Sequence, residues 1–363
     1  MRRGLSGAAI AACAAWMLCL SAVGNAAAAA YSGLYVFGDS LSDAGNVYSA
    51  STVKEPVSPP YSDGRFTNGN LWIQDLATSL GLGPVTPSLR GGNDFAFGGA
   101  QTGPTQANPY DISNPAYPAY SVIDLPAQLA AFNTAIGTGT NATSGALFTL
   151  WIGANDLDAL VANVLVPDVT KDPSLLGNPS QIMALATPDL TAAISNITTF
   201  VGDLNKDGMQ NLLALNVPDL SKTPDAIAAT GGNATLLSLI QSLTEDFNAQ
   251  LSQALTGLAQ TDGFALTQAG IFSAMDQVVA DPSAYDLTNV TDPCWTGNFT
   301  DPNSGTVCSD PSQYLFWDGL HPTAAGHQLV ANVALAALVP EPGSAALLLA
   351  GVAGIVLIRR RRG

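Results

Sequence analysis

Positively charged side chains are scarce in this chain of 363 residues. It carries 12 lysines and arginines against 28 aspartates and glutamates, which gives a formal net charge of −16. Half of the basic residues lie in two short terminal segments, Arg2–Arg3 and Arg359–Arg362, and the other six form no cluster. The body of the chain therefore repels phosphate backbones, and we expect no nucleic-acid partner.

Histidine is nearly absent as well, since the chain has only His321 and His327. Asp318 precedes His321 by three residues, which supplies a base and a carboxylate to orient it from one turn of chain. Ser40 follows the apolar run 34–37, and an open α/β sheet presents reactive groups at the carboxyl ends of its strands. If the protein uses a serine–histidine pair, Ser40 and His321 are its predicted members, because His327 lies on the following predicted helix.

Cysteine is also rare, with four residues in the whole chain. Cys13 and Cys19 lie in the N-terminal apolar stretch, whereas Cys294 and Cys308 lie in a loop-like segment rich in Asp, Pro, Gly and Thr. Two cysteines that close a short loop in an oxidising compartment favour one disulfide, Cys294–Cys308. The alternative, a metal site, needs more ligands than this stretch offers.

The two ends differ in composition from the rest of the chain. A basic start, an apolar stretch through Leu20 and small residues up to Ala30 are typical of a secretory signal peptide, residues 1–30. The alternative, a retained membrane anchor, agrees less well with the small residues that follow the apolar stretch. At the other end an apolar run, 344–358, precedes the four arginines; it is shorter than the ~20 residues that span a bilayer comfortably, and the arginines favour a cytoplasmic end. Residues 31–338 remain as one predicted domain.

Apolar runs and helical periodicity alternate along this domain. Strands are predicted at 34–37, 93–100, 146–152, 211–217 and 263–266, and helices at 71–77, 124–136, 188–204, 234–258 and 323–338. The alternation predicts a parallel sheet between two layers of helices, an α/β fold. Long loops, 48–71, 103–120 and 283–314, are expected to lie over the strand ends and shape a pocket.

Two further segments supply hydrogen-bond donors near Ser40. Gly98-Gly99 at the end of a predicted strand exposes backbone N–H groups, and Asn155 follows a buried strand, which places its amide at the same edge of the sheet. Taken alone, each piece has an ordinary explanation, because a serine in such a position is often a helix N-cap and an asparagine often belongs to a turn. Catalysis on a carbonyl carbon, by contrast, needs a hydroxyl, a base, an orienting group and oxyanion donors together.

In chain order, these pieces resemble the four sequence blocks of the SGNH hydrolases, the GDSL family of lipases and esterases. The blocks here are Gly38-Asp39-Ser40-Leu41, Phe95-Ala96-Phe97-Gly98-Gly99-Ala100, Gly153-Ala154-Asn155-Asp156 and Asp318-Gly319-Leu320-His321. The resemblance implies a flavodoxin-like three-layer α/β/α sandwich with a central parallel sheet. It also implies that Ser40 is the nucleophile, His321 the base and Asp318 its orienting carboxylate, with an oxyanion hole formed by Ser40, Gly99 and Asn155. The second block departs from the family pattern, because Asp94 rather than an asparagine precedes Phe95, which leaves open whether Gly98 or Gly99 is the donor.

The C-terminal tail resembles a second known element, the PEP-CTERM sorting signal, over residues 339–363. Pro340-Glu341-Pro342, a short hydrophobic segment and an arginine cluster occur in the required order. The resemblance implies a Gram-negative bacterium, an exosortase-type sorting enzyme as a partner, and a destination at the cell envelope, outer surface or extracellular matrix.

These expectations combine into a secreted serine esterase or lipase that acts on lipid or acyl esters. Within the same chemistry, a polysaccharide O-acetylesterase or a lysophospholipase/acyltransferase is an alternative. A non-catalytic envelope matrix or binding protein is the alternative from another class. No cofactor and no metal are expected, because the calcium-loop-like run Asp203 to Gly208 has Ala214 where the closing Glu should be.

Overall fold

Four short apolar runs pair as the central sheet in the computed structural model, which describes residues 31–103, 122–137 and 143–339. The strands are β1 (Leu34–Gly38), β2 (Leu147–Trp151), β3 (Asn211–Leu215) and β4 (Ala265–Ala269). They are all parallel and lie in the order β1-β2-β3-β4. The sites of the expected signal peptide and, apart from residue 339, of the expected sorting signal lie outside the described residues.

The helices follow the strands as an α/β pattern requires. They are α1 (Asn46–Ala50), α2 (Trp72–Ser79), α3 (Leu125–Ile136), α4 (Ala154–Leu160), α5 (Val166–Lys171), α6 (Pro179–Lys206), α7 (Pro224–Ala229), α8 (Ala234–Asp262), α9 (Ile271–Ala280) and α10 (Ala324–Leu338). A π-helix, Val161–Leu165, joins α4 to α5. Short 3₁₀ helices span Ser88–Arg90, Pro173–Gly177, Leu220–Lys222, Pro282–Tyr285 and Pro311–Gln313. A separate pair of strands, β5 (Asn289–Pro293) and β6 (Tyr314–Phe316), lies beyond α9.

Alternate residues of each strand face opposite layers, because successive side chains of a strand point to opposite faces. One face, with Val36 and Trp151, packs against α2 and α10. The other, with Phe37 and Phe148, packs against α3, α6 and α8. β1, β2 and β3 are largely buried on both faces, whereas β4 at the edge of the sheet is mostly exposed or half-buried. The predicted three-layer α/β/α sandwich is confirmed.

The segment predicted as a strand at 93–100 differs from the prediction. Its first residues run parallel to β1 through three backbone hydrogen bonds, including Phe95 N–H to the Val36 carbonyl at 2.8 Å. It does not continue as a regular strand beyond Phe97. On the side away from β1, the Asn46 side-chain amide donates to the carbonyls of Asp94 and Ala96 at 2.8 and 2.9 Å. Counting this segment as an edge, the sheet has the flavodoxin-like order, with the first strand of the chain inside the sheet.

Two helix boundaries also differ from the prediction. We expected a helix to begin at Pro188, but α6 begins at Pro179 and contains Pro188 within it. Asn178 caps its start by accepting from the Gln181 N–H, which is a stronger start signal than the internal proline. α8 likewise continues past 258 to Asp262, where Gly263 takes a left-handed conformation (φ +77°) and ends it.

None of the helices within the described ranges is both long enough and apolar enough to cross a membrane.

Candidate active site

The turn after β1 presents Ser40 at the carboxyl edge of the sheet. Gly38 opens the turn with φ +149°, and a side chain there would collide with the Trp151 carbonyl of the neighbouring strand. Asp39 then tightens the turn, because its carboxylate accepts the Leu41 N–H at 3.0 Å and its carbonyl accepts the Asp43 N–H at 3.1 Å. The Ser40 side chain is left at the edge, 7% exposed.

His321 approaches Ser40 from a loop 281 residues further along the chain. Its Nε2 lies 2.8 Å from the Ser40 Oγ, and its Nδ1 lies 2.9 Å from each carboxylate oxygen of Asp318. An ionised carboxylate only accepts hydrogen bonds, so Nδ1 carries the proton and Nε2 is left to accept from the serine hydroxyl. The structure thus brings together the three residues that the sequence predicted as catalytic.

The loop around Asp318 is fixed mainly by its own carboxylate. Oδ1 accepts the backbone N–H groups of Leu320 and His321 at 2.9 and 2.7 Å. The ring of Phe66 stacks on the imidazole with 5.1 Å between centroids. The Asp318 carboxylate therefore fixes the Nδ1 edge of the imidazole, and the Phe66 ring covers one of its faces.

Tyr61 is a member of the site that sequence reasoning missed. Its hydroxyl donates to Oδ2 of Asp318 at 2.7 Å, and its side chain is 3% exposed. The residue lies in the segment 48–71, which we predicted as a surface loop. Its 257-residue separation from Asp318 left no local pattern that could have pointed to the contact.

The opposite charges of Asp318 and His321 shift the pKa of each residue in the direction opposite to the effect of burial. Burial lowers the pKa of His321, but the Asp318 carboxylate outweighs it, and the net effect is a raised pKa. Burial raises the pKa of Asp318, but the His321 charge and the hydrogen bonds from His321 and Tyr61 outweigh it, and the net effect is a lowered pKa. Asp318 therefore stays ionised while His321 titrates above its ordinary value of 6.5.

Gly99 and Asn155 lie beside Ser40, where the sequence placed the oxyanion donors. Both line the same small cavity as Ser40, and Gly99 has φ +79°. The Gly98 N–H is already donated to Asp43 at 2.9 Å, so it is not aimed at the cavity. The Asn155 amide is anchored by a 2.8 Å bond from its Nδ2 to the Ala100 carbonyl, and a second N–H of the same NH₂ group remains for another acceptor.

Buried carboxylates hold the turns on which these residues stand. Asp43 accepts from four backbone N–H groups, those of Gly45, Asn46, Val47 and Gly98. Burial raises the pKa of Asp43 to about 6, and it raises the pKa of Asp39 to about 7. Asp156 accepts from the backbone N–H and the hydroxyl of Thr102 at 3.0 and 2.7 Å.

Two cavities meet at Ser40. Cavity A, about 280 Å³, is lined almost entirely by apolar side chains from β2, α9, β6 and α10, such as Trp151, Ile271 and Val330. Cavity B, about 200 Å³, is more polar and is lined by the predicted oxyanion donors, by His321 and by Asp225. Ser40 and Asn155 line both, so the hydroxyl lies at their junction.

The disulfide-closed loop forms one wall of cavity B. Cys294 and Cys308 are bonded, with sequence separation 14. Gly297, Asn298 and Phe299, which lie inside this loop, line the cavity.

His327, the other histidine, is fully buried away from the reaction centre. Its Nδ1 accepts the Trp72 N–H at the start of α2 at 3.3 Å. Burial lowers its pKa to about 3, which keeps the ring neutral. Over the described ranges, no group of three or more His, Cys, Asp or Glu side chains is placed to hold a metal ion.

A serine hydroxyl paired with an imidazole and a carboxylate, at the carboxyl edge of a parallel sheet between helices, defines a class: this chain is a serine hydrolase that acts on ester bonds. Residues 34–334 match the GDSL-like lipase/acylhydrolase family. The chain belongs to that family, as its four blocks predicted.

Its relatives span most of the chain. A GDSL esterase/lipase of Arabidopsis thaliana is 25% identical over 348 residues, covering 85% of this chain and 90% of the plant protein. A phosphatidylcholine-sterol acyltransferase of Aeromonas hydrophila is 26% identical over 271 residues, covering 74% of this chain and 67% of that protein. Among solved structures, phospholipase A1 from Streptomyces albidoflavus is 14% identical with a TM-score of 0.38, covering 84% of this chain and 98% of that one.

Proposed function

We propose that the protein hydrolyses carboxylic esters of medium or long acyl chains through an acyl-enzyme on Ser40. The observation that carries this proposal is the 2.8 Å contact between Ser40 Oγ and His321 Nε2 at the mouth of cavity A. A hydrocarbon chain attached to a carbonyl at Ser40 can enter this apolar cavity directly, because Ser40 lines it. Burial there contributes roughly 0.8 kcal/mol per CH₂ group.

The roles follow from the contacts. His321 Nε2 takes the hydroxyl proton as Ser40 Oγ attacks the carbonyl carbon, and Asp318 stabilises the imidazolium that results. The backbone N–H groups of Ser40 and Gly99 and the Asn155 amide donate hydrogen bonds to the carbonyl oxygen as it becomes negatively charged. His321 then returns the proton to the leaving alcohol as the acyl-enzyme forms. Water, deprotonated by the same imidazole, attacks the acyl carbon and releases the acid and a free Ser40.

Deacetylation of a polysaccharide is less well supported than lipid-ester hydrolysis. An acetyl group would occupy a small part of the 280 Å³ of cavity A, and the apolar walls would remain unfilled. A non-catalytic binding role is disfavoured because the Asp318–His321–Ser40 chain of hydrogen bonds has no use in a protein that only binds.

Hydrolysis of p-nitrophenyl esters of increasing acyl length tests the proposal. We expect kcat/KM to increase from acetate to octanoate, and Ser40→Ala to abolish turnover. Ser238→Ala, at an exposed position of α8, is the control and should keep wild-type rates. Equal rates for Ser40→Ala and wild type would remove Ser40 from the mechanism, and a preference for acetate over every longer chain would favour the deacetylase.

We propose in addition that the protein is exported to the cell envelope and sorted by an exosortase-type enzyme. The support is in the sequence alone: the signal-peptide-like residues 1–30 and the PEP-CTERM-like residues 339–363. Intact-mass measurement of the protein from envelope and medium fractions tests it. Removal of both segments supports the proposal, whereas a full-length chain in the cytoplasm contradicts it.

A further inference from the structure

A third cavity lies beside the reaction centre and is not used by the mechanism above. Cavity C, about 340 Å³, is enclosed by α4, the π-helix, α5, α7 and α8. Its lining is mostly aliphatic, with Leu165, Val169, Leu239 and Leu243 on facing walls. It is as large as cavity A and similar in chemistry.

Cavity C is adjacent to both other cavities through single side chains. Leu320, in the loop between Asp318 and His321, lines all three cavities. Leu220 and Thr223 separate C from A, and Asp225 lies on the border between C and B. Cavities A, B and C therefore all border Leu320, and cavities A and B meet at Ser40.

We propose that the substrate carries two hydrocarbon chains, with the acyl chain under attack in cavity A and the chain on the leaving alcohol in cavity C. This inference rests on the proposed ester hydrolysis. The leaving alcohol must lie in cavity B, because that cavity holds His321, which returns the proton. Asp225 and Leu320 line both cavity B and cavity C, so a second chain on that alcohol would enter cavity C beside these two side chains.

The wall of cavity C has two features expected of a site that receives a flexible chain. Its π-helix, Val161–Leu165, is a rare conformation found often at functional sites. Val166, at the junction with α5, lines the cavity and is 53% exposed. Cavity C therefore reaches the surface of the protein at Val166.

Charge selects among two-chain lipids. In the described lining of the three cavities, His321 is the only group that can be positive, whereas the acidic residues are Asp39, Asp158, Asp225 and Asp318. An anionic phosphate between B and C would therefore meet Asp225 and Asp158 and, apart from the catalytic His321, no basic partner. The substrate class is a neutral two-chain ester of the diacylglycerol type.

The test compares one-chain and two-chain glycerides in mixed micelles. Wild-type enzyme should hydrolyse didecanoylglycerol with a kcat/KM at least about tenfold above that for monodecanoylglycerol, since burial of only two further CH₂ groups accounts for such a factor. Ala229→Trp fills cavity C from an exposed position on α7, and should lower the two-chain rate about tenfold while leaving the one-chain rate unchanged. Ala228→Trp is the matched control, because Ala228 is also exposed on α7 but does not line the cavity.

The outcomes separate this inference from the proposed function. Thr170→Trp fills the cavity from the opposite wall and serves where Ala229→Trp does not fold. Equal rates for the two glycerides in wild type, or equal losses on both in the filled variants, overturn the inference while p-nitrophenyl ester hydrolysis still supports the esterase. Faster hydrolysis of didecanoyl phosphatidylglycerol than of didecanoylglycerol overturns the neutral class. If the wild-type protein hydrolyses none of these esters, both the proposed function and this inference are refuted.

Discussion

Replacement of Tyr61 by phenylalanine tests whether the residue that sequence reasoning missed acts on catalysis. The carboxylate of Asp318 accepts four hydrogen bonds: from Tyr61 Oη, from the backbone N–H groups of Leu320 and His321, and from His321 Nδ1. Tyr61→Phe removes the first of these and nothing else from the carboxylate. A hydrogen bond to a charged group is worth about 1.5–3 kcal/mol.

Loss of the Tyr61 hydrogen bond makes the Asp318 carboxylate a stronger partner for the His321 imidazolium. Negative charge that the tyrosine hydroxyl partly balanced now acts on His321 alone, so the pKa of His321, already raised, rises further. Part of the lost hydrogen-bond energy therefore reaches the imidazole as a higher pKa, since one pKa unit corresponds to 1.36 kcal/mol. Ester hydrolysis needs neutral His321, so activity at low pH should fall first.

The assay is kcat/KM for a p-nitrophenyl ester across pH 4.5–9, with the melting temperature of each variant as a check on folding. We expect the midpoint of the acid limb to move upward in Tyr61→Phe, and the alkaline plateau to fall by less than tenfold. Tyr48→Phe, whose ring packs near Lys54 away from the site, is the control. An unchanged midpoint in a well-folded Tyr61→Phe, or a downward shift, refutes the reasoning.

Three further predictions concern other parts of the site. Asn155→Ala should lower kcat by roughly 10²–10³ with little change in KM, because an oxyanion donor acts mainly in the transition state, and steady-state kinetics checks it. Cys294→Ser with Cys308→Ser should lower the free energy of unfolding by about 3 kcal/mol in urea titrations, and an unchanged unfolding midpoint would contradict the chain-entropy estimate for this loop. Asp39→Asn imitates the protonated acid and should reduce the loss of stability between about pH 4 and 7, where ionisation of the buried carboxyl costs up to about 4 kcal/mol; identical slopes in the two proteins would show that Asp39 is not the group responsible.

The parts of this site that sequence predicted are those with local signatures. Ser40, Asn155 and the Asp318–His321 pair each follow directly from a strand end or a single turn, and parallel strands bring their carboxyl ends to one edge. The hydrogen bond from the Gly98 N–H to Asp43, which bears on the choice between Gly98 and Gly99, could not be predicted. Spacing along the chain does not reveal where that carboxylate points.

The parts that sequence missed depend on contacts between distant segments. Tyr61 reaches Asp318 from a loop that has the composition of an ordinary surface segment. The carbonyls of Asp94 and Ala96, in the segment predicted as a strand at 93–100, bond to the Asn46 amide, 48 and 50 residues away. Cavity C depends on α5, α7 and the π-helix, and none of these short elements has enough residues for a periodic pattern to identify it.

The acidity of the site gives stability and activity opposite responses to pH. The catalytic turns bury Asp39 and Asp43 with no Lys or Arg as a hydrogen-bond partner among the described contacts, and backbone N–H groups take that place. Their pKa values, about 7 and about 6, lie above the ordinary 3.8, so the stability that their protonated forms contribute is fully present below about pH 4 and is lost as the pH rises through 6 and 7. Hydrolysis needs the opposite change, because His321 must lose its proton above pH 6.5 before it can accept one from Ser40. The pH at which this enzyme works best is therefore higher than the pH at which these turns are most stable. At the working pH, backbone hydrogen bonds to the ionised carboxylates hold Ser40 in place.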